Sequence, residues 1–238
     1  MVLDKGMIIE RIKRKIEPGL YIVPQSTPII YFGNYDTAKA CTVSLNPSNK
    51  EFTNGSDILL DYKNKERLCS RKRLKKQDID ELTDEEVEIV LDYCKNYFTI
   101  KPFKNWFNPF NCFINIYCGY SYYEDSCVHL DLVQWATYKK WSDVPENVRQ
   151  KHLKNDLSIL KYLLSKNFEI MFLNGITVVN NISQYLGIRH ISKKMVYRNH
   201  QGEQGERTMY FPILKRNLNG ITNFPDNPQT RSSAGHGP

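Results

Sequence analysis

The chain has six cysteines (Cys41, Cys69, Cys94, Cys112, Cys118 and Cys127) but no Cys-x-x-Cys pair. A metal or iron–sulfur centre would therefore need scattered ligands, so no metal and no cofactor is expected, and the cysteines read as reduced thiols. Long apolar runs are also missing. No stretch reaches the length of a bilayer span, so no membrane partner is expected. Met1 to Glu17 is charged throughout, which does not suit a secretory signal, and the expected location is cytoplasmic. Acids are absent from Arg67 to Lys76, RLCSRKRLKK, which holds six bases. Bases are absent from Asp78 to Asp92, which holds eight acids. The acidic run reads as a solvated helix face. The basic run is either another solvated face or a set of phosphate contacts, Arg71 and Arg73 among them.

What is present belongs to a folded domain. Of 238 residues, 41% are hydrophobic and 25% charged, which are globular values. Aromatic residues are plentiful, with 15 Tyr, 11 Phe and 3 Trp. The net charge of +7 suits a polyanionic partner.

Met1 to Glu17 reads as a short amphipathic helix ended by Pro18-Gly19. Pro28 to Asn34 and Ala38 to Leu45 read as strands, and residues 49–77 as a polar, basic loop region. Thr83 to Phe98 carries a capping box, Thr83 with Glu86, followed by apolar residues at helical spacing. Trp106 to Tyr122 is helix or strand ending in a glycine turn. His129 to Thr137 starts as a strand. Asp143 to Lys166 is a helix with Pro145 in its first turn. Phe168 to Leu173 is a short strand closed by Asn174-Gly175, and a helix, Ile176 to Leu186, follows. Arg207 to Ile213 is one more strand. The expected organisation is one domain over residues 1–224 and a disordered tail over 225–238. Alternating strands and helices predict an α/β fold, a three-layer α/β/α sandwich around a short, mostly parallel sheet. Sites in such sheets lie beyond the carboxyl ends of strands. Three strands here end in polar residues: at Asn46-Pro47, at Asp131 to Thr137, and at Asn174-Gly175.

LNPSNKEF after a strand, then HLDLVQWAT, then a strand closed by Asn-Gly, resembles the uracil-DNA glycosylase superfamily. The branch it is most similar to has Gly-x-Asn-Pro as its first motif, as in the mismatch-specific uracil glycosylases. Within the superfamily, the resemblance also suits the prokaryotic glycosylases that attack modified bases of phage DNA. The resemblance spans roughly Pro28 to Asn219. It departs from the pattern at Ser44, where the motif has glycine, and late in the chain, where FPILKRN stands in place of a His-Pro-Ser segment.

The resemblance implies a monofunctional DNA glycosylase, a hydrolase that flips a base from duplex or single-stranded DNA and leaves an abasic site. It assigns Asn46 to water positioning, since the amide oxygen can hold a water although the amide hardly takes a proton. His129 and Asp131, two apart on one strand, are the other catalytic candidates. Leu45, Pro47, Ser48, Phe52 and Asn174 are candidates for the base pocket, Phe52 as its stacking floor. Tyr117 to Tyr123 and Asn49 to Asp61 are its expected walls. Leu214 would wedge into the duplex, with Lys215, Arg216 and Asn217 on the backbone. Ser48, small behind Asn-Pro, leaves room for a modified pyrimidine, such as a modified cytosine of phage DNA, and so for a role in antiviral defence. No lysine set beside the motifs suggests lyase chemistry, and a monomer is expected. The alternatives are a uracil or mismatch repair glycosylase, a non-catalytic nucleic-acid-binding protein on the same fold, and a regulatory protein that binds through its acidic helix.

Overall fold

Three short strands of one parallel sheet place the ends of distant segments side by side. The computed structural model describes residues 5–61, 66–186, 189–198 and 204–213. Strand β1 (Ala40–Ser44) lies between β2 (Cys127–Asp131) and β3 (Ile170–Leu173), and both neighbours run parallel to it. All five residues of β1 and of β2 are buried, as expected where both faces of a parallel sheet are covered. In this register Thr42 stands beside His129 and Ser44 beside Asp131, so the carboxyl ends coincide. The architecture is α/β, with a small open sheet and helices between its strands.

The ladder continues past the strand ends. Leu132 N donates to Ser44 O at 2.9 Å, Val133 N to Leu45 O at 3.0 Å and Asn174 N to Val43 O at 2.8 Å. The Asn-Pro turn is thereby tied to the loop after β2. On the free edge of β2, Phe32 exchanges backbone hydrogen bonds with His129 at 2.9 and 3.0 Å. Farther out, Ile29 N bonds Gln134 O and Val23 N bonds Ala136 O. The segment read as a strand over Pro28 to Asn34 is thus an extended chain with a single bridge, and it blunts the sheet edge. Gly33 sits where this chain crosses Phe98. Its φ is +97°, and a Cβ there would come within 2.8 Å of the Phe98 ring.

The helices follow the apolar spacing, with shifted ends. Helix α1 (Lys5–Lys13) stops short of Pro18 because the chain turns to pair with residues 78–82. Ile16 N donates to Asp78 O and Leu82 N to Lys13 O. Helix α2 (Asp84–Lys95) has the expected Thr83–Glu86 capping box. The single helix expected to Phe98 breaks at Asn96, and a short α3 (Tyr97–Ile100) follows. The ambiguous aromatic stretch is helix α4 (Lys104–Cys118), with Gly119 left-handed at its end. Helix α5 (Glu146–Leu164) has Pro145 as its N-cap, one position outside the first turn. Helix α6 (Ile176–Leu186) has the expected bounds, but at the turn before it Gly175, not Asn174, has the positive φ. A hairpin of β4 (Arg189–Arg198) and β5 (Gln204–Ile213) ends the described chain, and β5 lies against β3. The expected strand Arg207 to Ile213 falls within β5.

The two charge runs face each other. Lys76 pairs with Glu86 at 3.3 Å. Arg71 is wholly buried and donates to the carbonyl oxygens of Arg14, Ser26, Gln77 and Asp80. It pins three loop segments and is not a phosphate contact. All six cysteines are free thiols, and no helix is long and apolar enough to cross a membrane among the described residues.

Candidate active site

A cleft of about 560 Å³ opens beyond the carboxyl ends of β1 and β2, within the usual ligand-pocket range of roughly 300–1,000 Å³. Asn46, His129 and Asp131, 83 or more residues apart between the two motifs, all line it. Pro47 and Ser48 line it as well.

The orientation of the Asn46 amide follows from its neighbours. Its Nδ2 is 3.1 Å from Pro47 O and 3.1 Å from Thr137 Oγ1. Pro47 O can only accept. Thr137 Oγ1 gives its own proton to Lys139 O at 2.8 Å, so it too accepts from Asn46. Both amide hydrogens are therefore engaged. The carbonyl oxygen Oδ1 has no protein donor among the described residues and is left for a donor in the cleft.

His129 stands at the end of a buried hydroxyl chain. Tyr122 Oη is 2.6 Å from Thr42 Oγ1, which is 2.7 Å from His129 Nδ1. Burial pushes the Tyr122 phenol well above its ordinary range, so it keeps its proton and needs an acceptor. Tyr122 then donates to Thr42, and Thr42 donates to Nδ1. The ring proton belongs on Nε2, 3.5 Å from Asp131 Oδ1. Phe32 and Phe107 hold the ring between them, with centroids 5.4 and 5.3 Å away. Asp131 is more exceptional, since both of its carboxyl oxygens are buried without a hydrogen bond. Such an acceptor suits a ligand that brings N–H or O–H groups.

A second carboxyl, Glu51, also faces the cleft. It ends a short 3-10 helix, Asn49–Glu51, which Ser48 caps by accepting from Lys50 N. Glu51 Oε2 accepts from Tyr97 Oη at 2.6 Å. Burial raises its pKa to about 7, opposed by the Tyr97 hydrogen bond and by Arg67, and reinforced by the charge of Asp131. Sequence reasoning includes Glu51 only within the expected wall Asn49 to Asp61 and gives it no catalytic role, although it stands inside LNPSNKEF. The available signal is an acid five residues after Asn46, within the motif itself.

The walls differ from expectation. Phe103, Trp106 and Phe107 of the α4 entry form the aromatic side, with Tyr138 and Trp141 contributed from the loop after β2. Tyr122 supports His129 through Thr42, whereas Tyr117 packs on Phe113 and Phe172 away from the cleft lining. Phe52 is buried in the hydrophobic core and is no stacking floor. Leu45, alternating with Ser44 and Asn46, also turns to the core. Asn174 donates to Ser44 Oγ at 3.0 Å, so it steadies the cleft residue Ser44 and does not line the pocket itself. Of the expected polar wall, only Asn49, Lys50 and Glu51 line the cleft.

Lys50, Lys139 and Lys140 line the rim. Arg67, from the basic run, lies over the Phe103 ring at 5.4 Å and donates to Lys50 O. Arg73 is held by Glu66 at 3.1 Å and over Tyr93, not at the cleft. Leu214, Lys215, Arg216 and Asn217 lie outside the described residues.

No family model, no curated protein and no solved structure matches the chain. The meaning of the cleft therefore rests on its own geometry. That geometry offers an amide oxygen with no protein donor, an oriented imidazole, two carboxyls, an aromatic wall and a cationic rim.

Proposed function

We propose that the protein is a DNA glycosylase that hydrolyses the N-glycosidic bond of a flipped nucleotide, on a three-layer sandwich of the uracil-DNA glycosylase type. One observation carries the reading. Asn46, His129 and Asp131, picked from two separate motifs, converge on one aromatic-walled cleft at the carboxyl ends of adjacent parallel strands.

In this reading the extruded base stacks against Phe103 and Trp106, while Lys50, Lys139 and Lys140 take neighbouring phosphates. Asn46 Oδ1 holds the water. The carboxylate of Asp131 stabilises the cationic sugar or accepts an N–H of the base. His129 Nε2–H donates toward the leaving base or a phosphate oxygen. Most of the rate then comes from positioning and fixed dipoles. Ser48, small behind Asn46-Pro47, lines the cleft and leaves room for a substituted pyrimidine, such as a modified cytosine of phage DNA. Excision would then serve defence, by leaving abasic sites in invading DNA.

Single-turnover base release from uracil and glucosylated hydroxymethylcytosine in matched strands tests this. Asn46→Ala is expected to lower the rate by roughly 10²–10³ with DNA affinity kept. Asn46→Asp should not rescue it, because a carboxylate oxygen would then face the Pro47 carbonyl. Wild-type rates in Asn46→Ala would remove Asn46 from the mechanism. Faster release of uracil would return the protein to ordinary repair.

A further inference from the structure

Asn46 can hold a water but hardly takes its proton, so the reaction proposed above still needs a base. Two carboxyls face the cleft. Both oxygens of Asp131 are buried, with Oδ1 3.5 Å from His129 Nε2. In Glu51, Oε2 accepts from Tyr97, while Oε1 has no hydrogen-bond partner among the described residues. Its placement is firm. The main chain around it is closed by Glu51 N to Ser48 O at 3.1 Å, Phe52 N to Asn49 O at 3.0 Å and Leu60 N to Phe52 O at 2.7 Å. Tyr97 is fixed in turn, since its Oη accepts from Phe103 N at 2.9 Å and so directs its proton to Glu51.

We propose that Glu51 is the general base of this site, taking a proton from the water that Asn46 holds. The inference rests on the glycosylase reading and deepens it. As the glycosidic C–N bond breaks, its electron pair leaves with the base nitrogen. The water oxygen bonds to the anomeric carbon, one water proton passes to Glu51 Oε1, and that proton is then given up to the departing base. Water is consumed and no other reactant is needed. Asn46 and Glu51 thus divide between them what one aspartate could do alone, the amide holding the water and the carboxylate taking the proton.

The groups facing Glu51 are Tyr97 from α3, Asp131 and His129 from β2, Arg67, and Lys50 beside it. Burial among them brings its pKa to about 7, near the optimum for a base working at neutral pH. The test is the pH profile of single-turnover base release, from about pH 5 to 9, for four proteins. The wild type should gain rate through a limb near neutrality. Glu51→Gln, which keeps the shape and the bond from Tyr97, should be slower by roughly 10²-fold or more and lack the limb. Tyr97→Phe removes a hydrogen bond that favours the charged carboxylate, so it should move the limb to higher pH. His129→Asn should be slower with the limb kept. A limb kept in Glu51→Gln, or lost only in His129→Asn, overturns the assignment while leaving the glycosylase reading intact. No base release by the wild-type protein from any substrate overturns both.

Discussion

Glu51 carries a stability consequence that can be measured without any substrate. An ordinary glutamate titrates at 4.5 and this one at about 7, because burial disfavours its charge. Between those values the folded state binds more protons than the unfolded chain, so stability falls as pH rises. The full penalty applies above the folded value and none below the unfolded one. Glu51→Gln is therefore expected to be more stable than wild type at pH 8, by on the order of 3 kcal/mol, and nearly equal to it at pH 4. Denaturant unfolding at the two pH values checks this. A catalytic group held against its solvation preference commonly gives such a gain in stability when removed. Equal stability at both values would mean that the carboxyl is not perturbed.

At the level of elements, the Gly33 crossing ties the chain covering β2 to α3. Gly33→Ala places a methyl within 2.8 Å of the Phe98 ring and strains a φ of +97°, so it should cost about 1–3 kcal/mol in thermal or denaturant unfolding. Retention of wild-type stability would show that Phe98 moves freely. Much of this layer is legible in the sequence. The capping box at Thr83, the strand β1, the glycine turn at Gly119 and the proline at the start of α5 are local signals, and local physics decides them. Asn46, His129 and Asp131 are legible because strand ends in a parallel sheet collect polar residues. What is not legible depends on which way a side chain turns. Phe52 and Glu51 are neighbours, and only the 3-10 turn decides that Glu51 faces the cleft and Phe52 the core. Arg71 sits in a run of bases like any solvated face, yet loops from far along the chain close over it. Strand β4 escapes a sequence reading because its many basic residues mask any strand pattern in RHISKKMVYR.

Across the whole molecule, the net charge of +7 is less informative than its placement. Part of the basic run is engaged with its own chain, Arg71 with carbonyls, Arg73 with Glu66 and Lys76 with Glu86. The lysines at the cleft rim are better placed for a polyanion. Replacing Lys139 and Lys140 with Ala should weaken DNA of every sequence about equally. It should also flatten the salt dependence by roughly 0.7 to 0.9 for each phosphate that is no longer neutralised. An unchanged slope would put the phosphates elsewhere. The central claim is base release, and the direct measurement is the free base itself. Wild-type protein and Asn46→Ala are incubated with DNA carrying uracil, hydroxymethylcytosine or glucosylated hydroxymethylcytosine, and the small-molecule fraction is identified by mass spectrometry. The account predicts a free base, with a matching alkali-labile strand, from the wild type and almost none from the variant in the same time. Intact DNA and no free base from any substrate, with binding retained, would contradict it.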